Sequence, residues 1–221
     1  MKKFTHLSII ILILGVVDMA SAATSKIGIL VFDGFLTSDA TAPIEVFGAA
    51  SKKAWFSRYE VVTIAATRKK TVKSEEGLTI IADFSIYDEI ELDALIAVSA
   101  YDMRAVLNNN DLISYVRRQS KTSTWMASNC SGASILGAAG ILDGKRVTTW
   151  AGGEKTLQNK YPKANVQFDQ NVVVDEGLIT SNGGPVSYQG AFELLTQLSS
   201  KAYSDKIAED IGFTRLSKAF K

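Results

Sequence analysis

The sequence predicts one α/β domain with a mostly parallel sheet covered by helices on both faces. Short apolar runs alternate with helical patterns from residue 26 to near the end of the chain. Several of these runs are apolar at almost every position, which is typical of strands buried on both faces. No linker, repeat or low-complexity segment interrupts the pattern. Residues 23–221 are therefore expected to form a single domain.

The first half of the chain contains three apolar runs that are predicted to be core strands: residues 26–32, 59–65 and 94–99. A helix is predicted over residues 43–50, because Pro43 suits a first helical turn and Asp39 or Thr41 is a suitable cap. Charged residues around Gly77 predict a loop or hairpin before residues 78–81. Asn110 and Asp111 are expected to cap a helix that ends at Arg118.

The second half continues the alternation. Its predicted strands are residues 124–128, 146–150, 172–174 and 177–181, the last two as a hairpin or as two edge strands. Its predicted helices are an Ala/Gly/Leu-rich segment ending near Gly140, residues 153–161 before Pro162, and residues 187–198. Ser204 and Asp205 are expected to cap a final amphipathic segment.

Two rare residue types exclude whole classes of site. The chain has one cysteine, Cys130, and one histidine, His6. An intramolecular disulfide is impossible, and a zinc site made of cysteine and histidine cannot be assembled. We expect neither a metal nor a cofactor.

The amino terminus has the three parts of a secretory signal peptide. Lys2 and Lys3 are basic, residues 7–17 are apolar, and residues 20–22 read Ala-Ser-Ala, a small-x-small cleavage site. The apolar stretch is too short for a membrane anchor, and no later segment is long and apolar enough to span a bilayer. The prediction is cleavage after Ala22 and a periplasmic or secreted protein.

The charge balance argues against a nucleic-acid partner. The whole chain has 24 basic and 23 acidic side chains. Removing residues 1–22, which contain Lys2, Lys3 and Asp18, leaves a formally neutral chain without a basic excess to neutralise phosphates. A small molecule is the expected partner.

Cys130 is predicted at a sharp turn between a strand and a helix. Ligands of open α/β sheets bind at this edge, beyond the carboxyl ends of the strands. The amides and dipole at the start of a helix stabilise a thiolate, so we expect a lowered pKa for Cys130. The alternative is a buried structural cysteine, which is common. The polar neighbours Asn129 and Ser131 favour the chemical role.

Residues 127–149 read Ala-Ser-Asn-Cys-Ser-Gly-Ala-Ser-Ile-Leu-Gly-Ala-Ala-Gly-Ile-Leu-Asp-Gly-Lys-Arg-Val-Thr-Thr. This segment closely resembles the nucleophile elbow of the ThiJ/PfpI family, which is glutamine amidotransferase-like. Residues 39–47, Asp-Ala-Thr-Ala-Pro-Ile-Glu-Val-Phe, resemble the first motif of its branch of isonitrile hydratases and ligand domains of AraC-type regulators. Ala42 stands where glycine is usual. Residues 177–181 and 184–188 are similar to the family's last strand and final core helix.

The resemblance implies a flavodoxin-like three-layer sandwich, usually a homodimer, and carries three catalytic positions onto this chain. They are Cys130 as nucleophile, Asp39 as the group that handles protons, and Ser131, which is threonine in the enzymes. Both Asp39 and the elbow are expected at the carboxyl edge of the sheet, and burial there raises the pKa of Asp39. The alternative for Asp39 is a helix cap.

Two departures from the family pattern narrow the chemistry. The family commonly reads Thr-Thr-His-Trp where this chain reads Thr148-Thr149-Trp150-Ala151, so an imidazole base is missing. Residues 98–102, Val-Ser-Ala-Tyr-Asp, replace a usual glycine pair and are expected to narrow the pocket or redirect an amide. The expected reaction is hydratase-like or lyase-like, because it pairs the cysteine with a carboxyl and does not need the missing imidazole. The alternative is a non-catalytic ligand-binding or redox-sensing domain.

Overall fold

A computed structural model describes residues 24–53 and 58–219 of the chain. Its strands are β1 (Thr24–Val31), β2 (Arg58–Ala65), β3 (Thr71–Lys73), β4 (Thr79–Ile81), β5 (Phe84–Ser85), β6 (Ala94–Ala97), β7 (Trp125–Asn129), β8 (Arg146–Val147), β9 (Asn165–Val166), β10 (Val172–Asp175) and β11 (Leu178–Ser181). Seven of them form one sheet in the order β10-β11-β7-β6-β1-β2-β5. All neighbours in this sheet are parallel except the antiparallel pair β10 and β11.

The helices form two groups that pack on this sheet. They are α1 (Thr37–Lys53), α2 (Arg104–Leu107), α3 (Asn110–Gln119), α4 (Ala133–Ala138), α5 (Glu154–Lys160), α6 (Ser187–Leu198), α7 (Lys201–Asp210) and α8 (Phe213–Ala219). Helices α1, α6 and α7 contact one another, and α4 contacts both α2 and α3. The predicted α/β sandwich with a mostly parallel sheet is confirmed.

The register of the central strands brings their carboxyl ends to one edge. Leu30 of β1 lies beside Ala97 of β6, and Ala97 lies beside Ser128 of β7. These strands are buried along most of their length, as β1 shows with every residue buried from Ile27 to Val31. Parallel strands covered on both faces need such apolar sequences. The loops after β1, β6 and β7 therefore meet at this edge.

Helix α1 begins earlier than the sequence predicts. It starts at Thr37, so Asp39 lies inside its first turn and neither Asp39 nor Thr41 is its cap. The backbone N–H of Thr37 instead donates to Glu76 Oε2 at 2.9 Å, from the loop of the β3–β4 hairpin. An acceptor from a distant hairpin satisfies the helix start, and sequence periodicity cannot reveal such a contact.

Three other predicted details are wrong. Residues 146–150 do not join the main sheet: β8 is two residues long and pairs with β9, and the N–H of Thr148 donates to the Thr180 side chain. Asn109, not Asn110 or Asp111, caps α3. Ser200 caps α7, because its side chain accepts from the N–H of Tyr203. Ser204 lies inside the helix, where it is buried and donates to the carbonyl of Phe192.

The predicted hairpins are confirmed as β3–β4 and β10–β11. Within residues 24–53 and 58–219, no helix is both long enough and apolar enough to cross a bilayer. The predicted signal peptide, residues 1–22, lies outside the described residues and stays a prediction.

Candidate active site

Cys130 lies at a strained strand-to-helix turn, as predicted. It follows β7 directly and begins a 3-10 turn, Cys130–Gly132, that leads into α4. Its φ is +52°, a left-handed value that costs a residue with a side chain about 1–3 kcal/mol. The Thr149 hydroxyl donates to the Cys130 carbonyl at 2.9 Å and helps to hold the turn. A Cβ on Gly132 would lie 2.3 Å from the carbonyl oxygen of Ala97, so only glycine lets the turn pack against β6.

Asp39 is completely buried and accepts four hydrogen bonds through its carboxylate. Oδ1 accepts from the N–H of Gly184 at 2.8 Å and from the hydroxyl of Ser187 at 2.9 Å. Oδ2 accepts from the N–H of Ser99 at 3.2 Å and, over a shorter distance, from its hydroxyl. Burial raises the pKa of Asp39 although these hydrogen bonds oppose the shift. The expected raised pKa is confirmed.

Pro43 connects the Asp39 motif to the cysteine elbow. In a helix the carbonyl of Asp39 would accept from the N–H of residue 43, but proline has no N–H. The side-chain amide of Asn129 donates to this vacant carbonyl at 2.9 Å. Asn129 in turn accepts from the hydroxyl of Ser181 through its Oδ1 at 2.6 Å. The residue before Cys130 is therefore fixed to the helix turn that carries Asp39.

The structure brings Asp39 and Cys130 together, as predicted. Gly183, with a φ of +78°, packs between them: a Cβ there would lie 2.3 Å from Cys130 Cβ and 3.0 Å from Asp39 Oδ1. The charge of Asp39 acts on the Cys130 thiol and helps to raise the pKa of that thiol.

The predicted lowering of the cysteine pKa is wrong. Cys130 is half-buried, and this burial raises the pKa of its thiol. Hydrogen bonds from Ser99 and Ser131 favour the thiolate, whereas the negative charge of Asp39 disfavours it. The cost of removing sulfur charge from water outweighs the donors at this turn. The resting site therefore favours a protonated thiol.

Cys130 lines a cavity of about 450 Å³ with mainly apolar walls. Leu36, Met103, Leu107 and Trp150 supply apolar surface, and Lys160 is the one cationic side chain among the described residues that line it. Trp150 occupies the position after Thr149 where the resembled family commonly has histidine. A cavity of this size and polarity suits a small, mostly apolar molecule.

The loop after β6 holds one of its own amides against a side chain of the same loop, and the expected narrowing of the pocket or redirection of an amide relative to the family stays a prediction. The N–H of Ala100 donates to the Met103 sulfur at 3.3 Å, which is a weak acceptor. The Ser131 hydroxyl donates to the carbonyl of Ala100 at 3.0 Å. Ser131 thus lies in the same cavity as Cys130, and its hydroxyl fixes the loop in this state. The catalytic role of Ser131 stays a prediction.

Three residues of the site carry functions that sequence reasoning missed: Ser99, Asn129 and Gly183. Ser99 stood out only as a departure from a glycine-rich loop, and Asn129 only as a polar neighbour of the cysteine. Their roles depend on contacts across 60 and 90 residues, respectively, which no local pattern encodes. Among the described residues, no group of three or more His, Cys, Asp or Glu side chains is arranged to hold a metal ion.

Comparison with known proteins places this geometry in context. A family model described as the DJ-1/PfpI family matches residues 25–197. The isonitrile hydratase of Pseudomonas putida is 27% identical over 175 residues, covering 78% of this chain and 72% of that protein. A deglycase of Pyrococcus horikoshii is 29% identical over 124 residues, covering 54% of this chain and 72% of that protein. The crystal structure of a ThiJ/PfpI family protein from Pseudomonas syringae superimposes with a TM-score of 0.76 at 21% identity, covering 87% of this chain and 76% of that chain.

Proposed function

This chain belongs to the DJ-1/PfpI family, and on that basis we propose that it is a cofactor-free enzyme whose Cys130 attacks a small electrophilic carbon. An isonitrile is the leading substrate class, since an isonitrile hydratase is among the similar proteins. The observation that carries the proposal is the buried carboxyl of Asp39 beside a thiol that faces an apolar cavity.

The proposed reaction adds water to an isonitrile, R–N≡C, and gives the formamide R–NH–CHO. The thiol of Cys130 loses its proton to Asp39, and the sulfur bonds to the isonitrile carbon. That carbon takes the proton back, which yields the thioimidate R–N=CH–S–Cys130. Water then adds to the same carbon, a water proton moves to nitrogen, and the carbon–sulfur bond breaks to release the formamide and restore the thiol.

The residues present match the needs of this route. The carboxyl must hold a proton during attack, and burial raises the pKa of Asp39 in that direction. The only histidine of the chain is His6, so the route uses no imidazole from the described residues. Apolar cavity walls favour a substrate with an uncharged, apolar R group.

The test is turnover of a panel of isonitriles and reactive aldehydes, followed by mass spectrometry of the products. We expect formamide from at least one isonitrile, and no formamide above background with Cys130→Ala. Ser128→Ala is a matched control, because Ser128 is a buried residue of β7 whose hydroxyl has no hydrogen-bond partner among the described residues. Equal product from wild type and Cys130→Ala for every isonitrile rejects the proposal. Turnover of aldehydes alone assigns a carbonyl substrate, in line with the deglycase relative.

A non-catalytic ligand-binding or redox-sensing role is the second candidate. The raised pKa of the Cys130 thiol favours the ligand-binding role over both catalysis and redox sensing, since catalytic and redox-sensing cysteines usually have lowered values. A purely binding protein retains ligands in its cavity unchanged. A redox sensor forms sulfenic or sulfinic acid at Cys130 with dilute peroxide, which intact mass detects.

We further propose that the protein is exported and dimeric. Export is supported by the signal-peptide pattern of residues 1–22, and a homodimer is what the resemblance implies. The amino-terminal sequence of protein recovered from the producing cell tests the first point, and an amino terminus other than Ala23 contradicts the cleavage prediction. Light scattering tests the second.

A further inference from the structure

We propose that Lys160 selects a substrate that carries a carboxylate on an apolar body. This inference rests on the proposed function, because it names the substrate class of the cavity beside Cys130. It adds a specificity-determining residue to that site. The apolar walls alone favour an uncharged R group, and Lys160 adds a preference for an R group that ends in one negative charge.

The first argument is the uneven charge of the cavity lining. Lys160 is the one cation among the described lining residues, and no described aspartate or glutamate lines the cavity. The other lining residues are apolar or carry hydroxyl and thiol groups. A molecule in this cavity therefore meets one positive charge and no negative charge on its walls, which favours an anion.

Two carboxylates close to the cavity do not cancel this charge. Asp102 accepts from Nε of Arg104 at 2.9 Å and from Nη2 of the same side chain at 2.6 Å, so these two side chains compensate each other. Asp39 is completely buried and already accepts four hydrogen bonds, so it cannot touch a molecule in the cavity. Lys160 remains the charged side chain that a bound molecule can contact directly.

Lys160 has no acidic partner of its own. It takes part in none of the ion pairs among the described residues. Its ammonium nitrogen lies 5.6 Å from the centre of the Tyr161 ring. Lys160 is an exposed residue in the last turn of α5, so it lies where the cavity meets solvent. Its ammonium group is therefore available to an incoming anion.

The ring beside Lys160 is anchored to the helix that follows Cys130. The Tyr161 hydroxyl donates to the carbonyl of Ser134 in α4 at 2.8 Å. A Cβ on Gly137 of α4 would lie 2.6 Å from the Tyr161 ring, so glycine permits this close packing. Because α4 continues the turn that contains Cys130, the cation and the thiol are attached to one helix.

Trp150 supplies a flat apolar wall of the same cavity. A Cβ on Gly153 would lie 1.9 Å from its indole ring, so the ring packs on the backbone where α5 begins. Helix α5 thus has the indole at its first residues and Lys160 at its last turn. A flat apolar body with an anion at one end matches both features. A single lysine is a point charge, which suits a carboxylate better than a phosphate that needs several donors.

The test compares two reagents that alkylate Cys130, 4-(bromomethyl)benzoate and 4-(bromomethyl)benzamide. They share a leaving group and have nearly the same shape, but only the benzoate is charged. Cys130 is the only cysteine of the chain, so loss of free thiol reports this site alone. The ratio of the two rate constants cancels any change in the thiolate fraction, because both reagents attack the same sulfur.

In Lys160→Met the benzoate-to-benzamide ratio should fall about threefold, the effect of one exposed ion pair, and the benzamide rate constant should stay unchanged. Lys160→Arg should keep the ratio. Lys155→Met is the matched control and should also keep it, because Lys155 is an exposed residue of α5 that does not line the cavity. Sodium chloride at about 1 M should bring the wild-type ratio close to that of Lys160→Met. An unchanged ratio in Lys160→Met overturns the inference, as does an equal fall in Lys155→Met.

The isonitriles 4-isocyanobenzoate and 4-isocyanobenzamide test the same residue during turnover. Lys160→Met should raise the KM of the benzoate about threefold and leave its kcat, and both constants of the benzamide, unchanged. An unchanged KM for the benzoate contradicts the selective role of Lys160.

These outcomes are separable from those of the proposed reaction. If neither isonitrile is converted, the proposed reaction fails for these substrates, and the alkylation ratio still decides whether Lys160 attracts a carboxylate to the cavity. Conversely, turnover together with an unaltered ratio in Lys160→Met retains the enzyme and removes the role of Lys160.

Discussion

The two sides of Cys130 differ sharply in polarity. One side is closed and polar, where Asp39 is buried under donors from the loop after β6, from β7 and from α6. The other side opens into an apolar cavity lined by Leu36, Met103 and Trp150. The difference teaches that the carboxyl that acts on the thiol and the cavity beside the thiol are built by separate parts of the fold. The buried carboxyl lies on the closed side, and the open side offers mainly apolar surface together with Lys160.

The largest expected effect is at Gly183, which packs the closed side. Gly183→Ala should destabilise the protein by about 2–4 kcal/mol, because its Cβ would collide with Cys130 and the residue has a positive φ. Gly184→Ala is the matched control: its φ is also positive, at +57°, but a Cβ there meets no atom of the described part of the chain within 4 Å. Its cost should be about 1 kcal/mol. Urea unfolding measures the free energy of unfolding of both variants, and equal losses of stability would contradict the packing described for Gly183.

A second prediction concerns the link between Asn129 and Asp39. Asn129→Ala should cost about 1–3 kcal/mol, because the buried carbonyl of Asp39 and the Ser181 hydroxyl lose their partner. Pro43→Ala supplies the missing backbone N–H, so the cost of Asn129→Ala should be smaller in that background. A double-mutant cycle in urea measures the coupling. Strict additivity would show that the proline does not create the need for Asn129.

A third prediction follows from the raised pKa of Asp39. Since folding raises this pKa above its ordinary value of 3.8, the stabilisation from protonated Asp39 is fully present below 3.8 and is lost as pH rises through the folded value. The unfolding free energy of wild type relative to Asp39→Asn should therefore fall with rising pH across that window and then level off.

The exposed carboxyl of Asp102 provides a control of opposite sign. Arg104 lowers the pKa of Asp102 to about 2, so the stabilisation from ionised Asp102 is lost only as pH falls toward that value. The unfolding free energy of wild type relative to Asp102→Asn should therefore show no loss as pH rises. The same falling curve for both variants would exclude Asp39 as the source of the effect.

The smallest expected effect lies on the open side. Met103→Leu keeps the volume of the side chain but removes the sulfur that accepts from Ala100. The loss of stability should be about 1.5 kcal/mol or less. The rate of Cys130 alkylation by iodoacetamide should depend on pH in the same way as in the wild type. A changed profile would mean that the open side also controls the charge of the thiol.

The sequence and the structure agree most where a pattern is local. Runs of mostly apolar residues were sufficient to predict β1, β2, β6 and β7, because burial on both faces requires apolar side chains at most positions of a strand. The elbow at Cys130 was predictable from the polar residues that follow an apolar strand. The resemblance of residues 39–47 added Asp39, which no periodicity singles out as a partner of the cysteine.

The disagreements arise where distant contacts decide the outcome. Glu76 caps α1 from another element, and this moves the helix start to Thr37. The pKa of Cys130 depends on burial and on the charge of Asp39, whereas the sequence shows only its place before a helix. Ser99 was visible as an unusual loop residue, but its contact with Asp39 requires the three-dimensional fold.

The most direct test of this separation is the ultraviolet absorbance of the Cys130 thiolate as a function of pH, taken as wild type minus Cys130→Ser. Burial and the carboxylate together predict that the thiol of the free protein stays mostly protonated at neutral pH. Its main titration should occur above the ordinary thiol value of 9.0. Complete ionisation below pH 7 would contradict the account, because it would place stabilised charge on the sulfur instead of on Asp39.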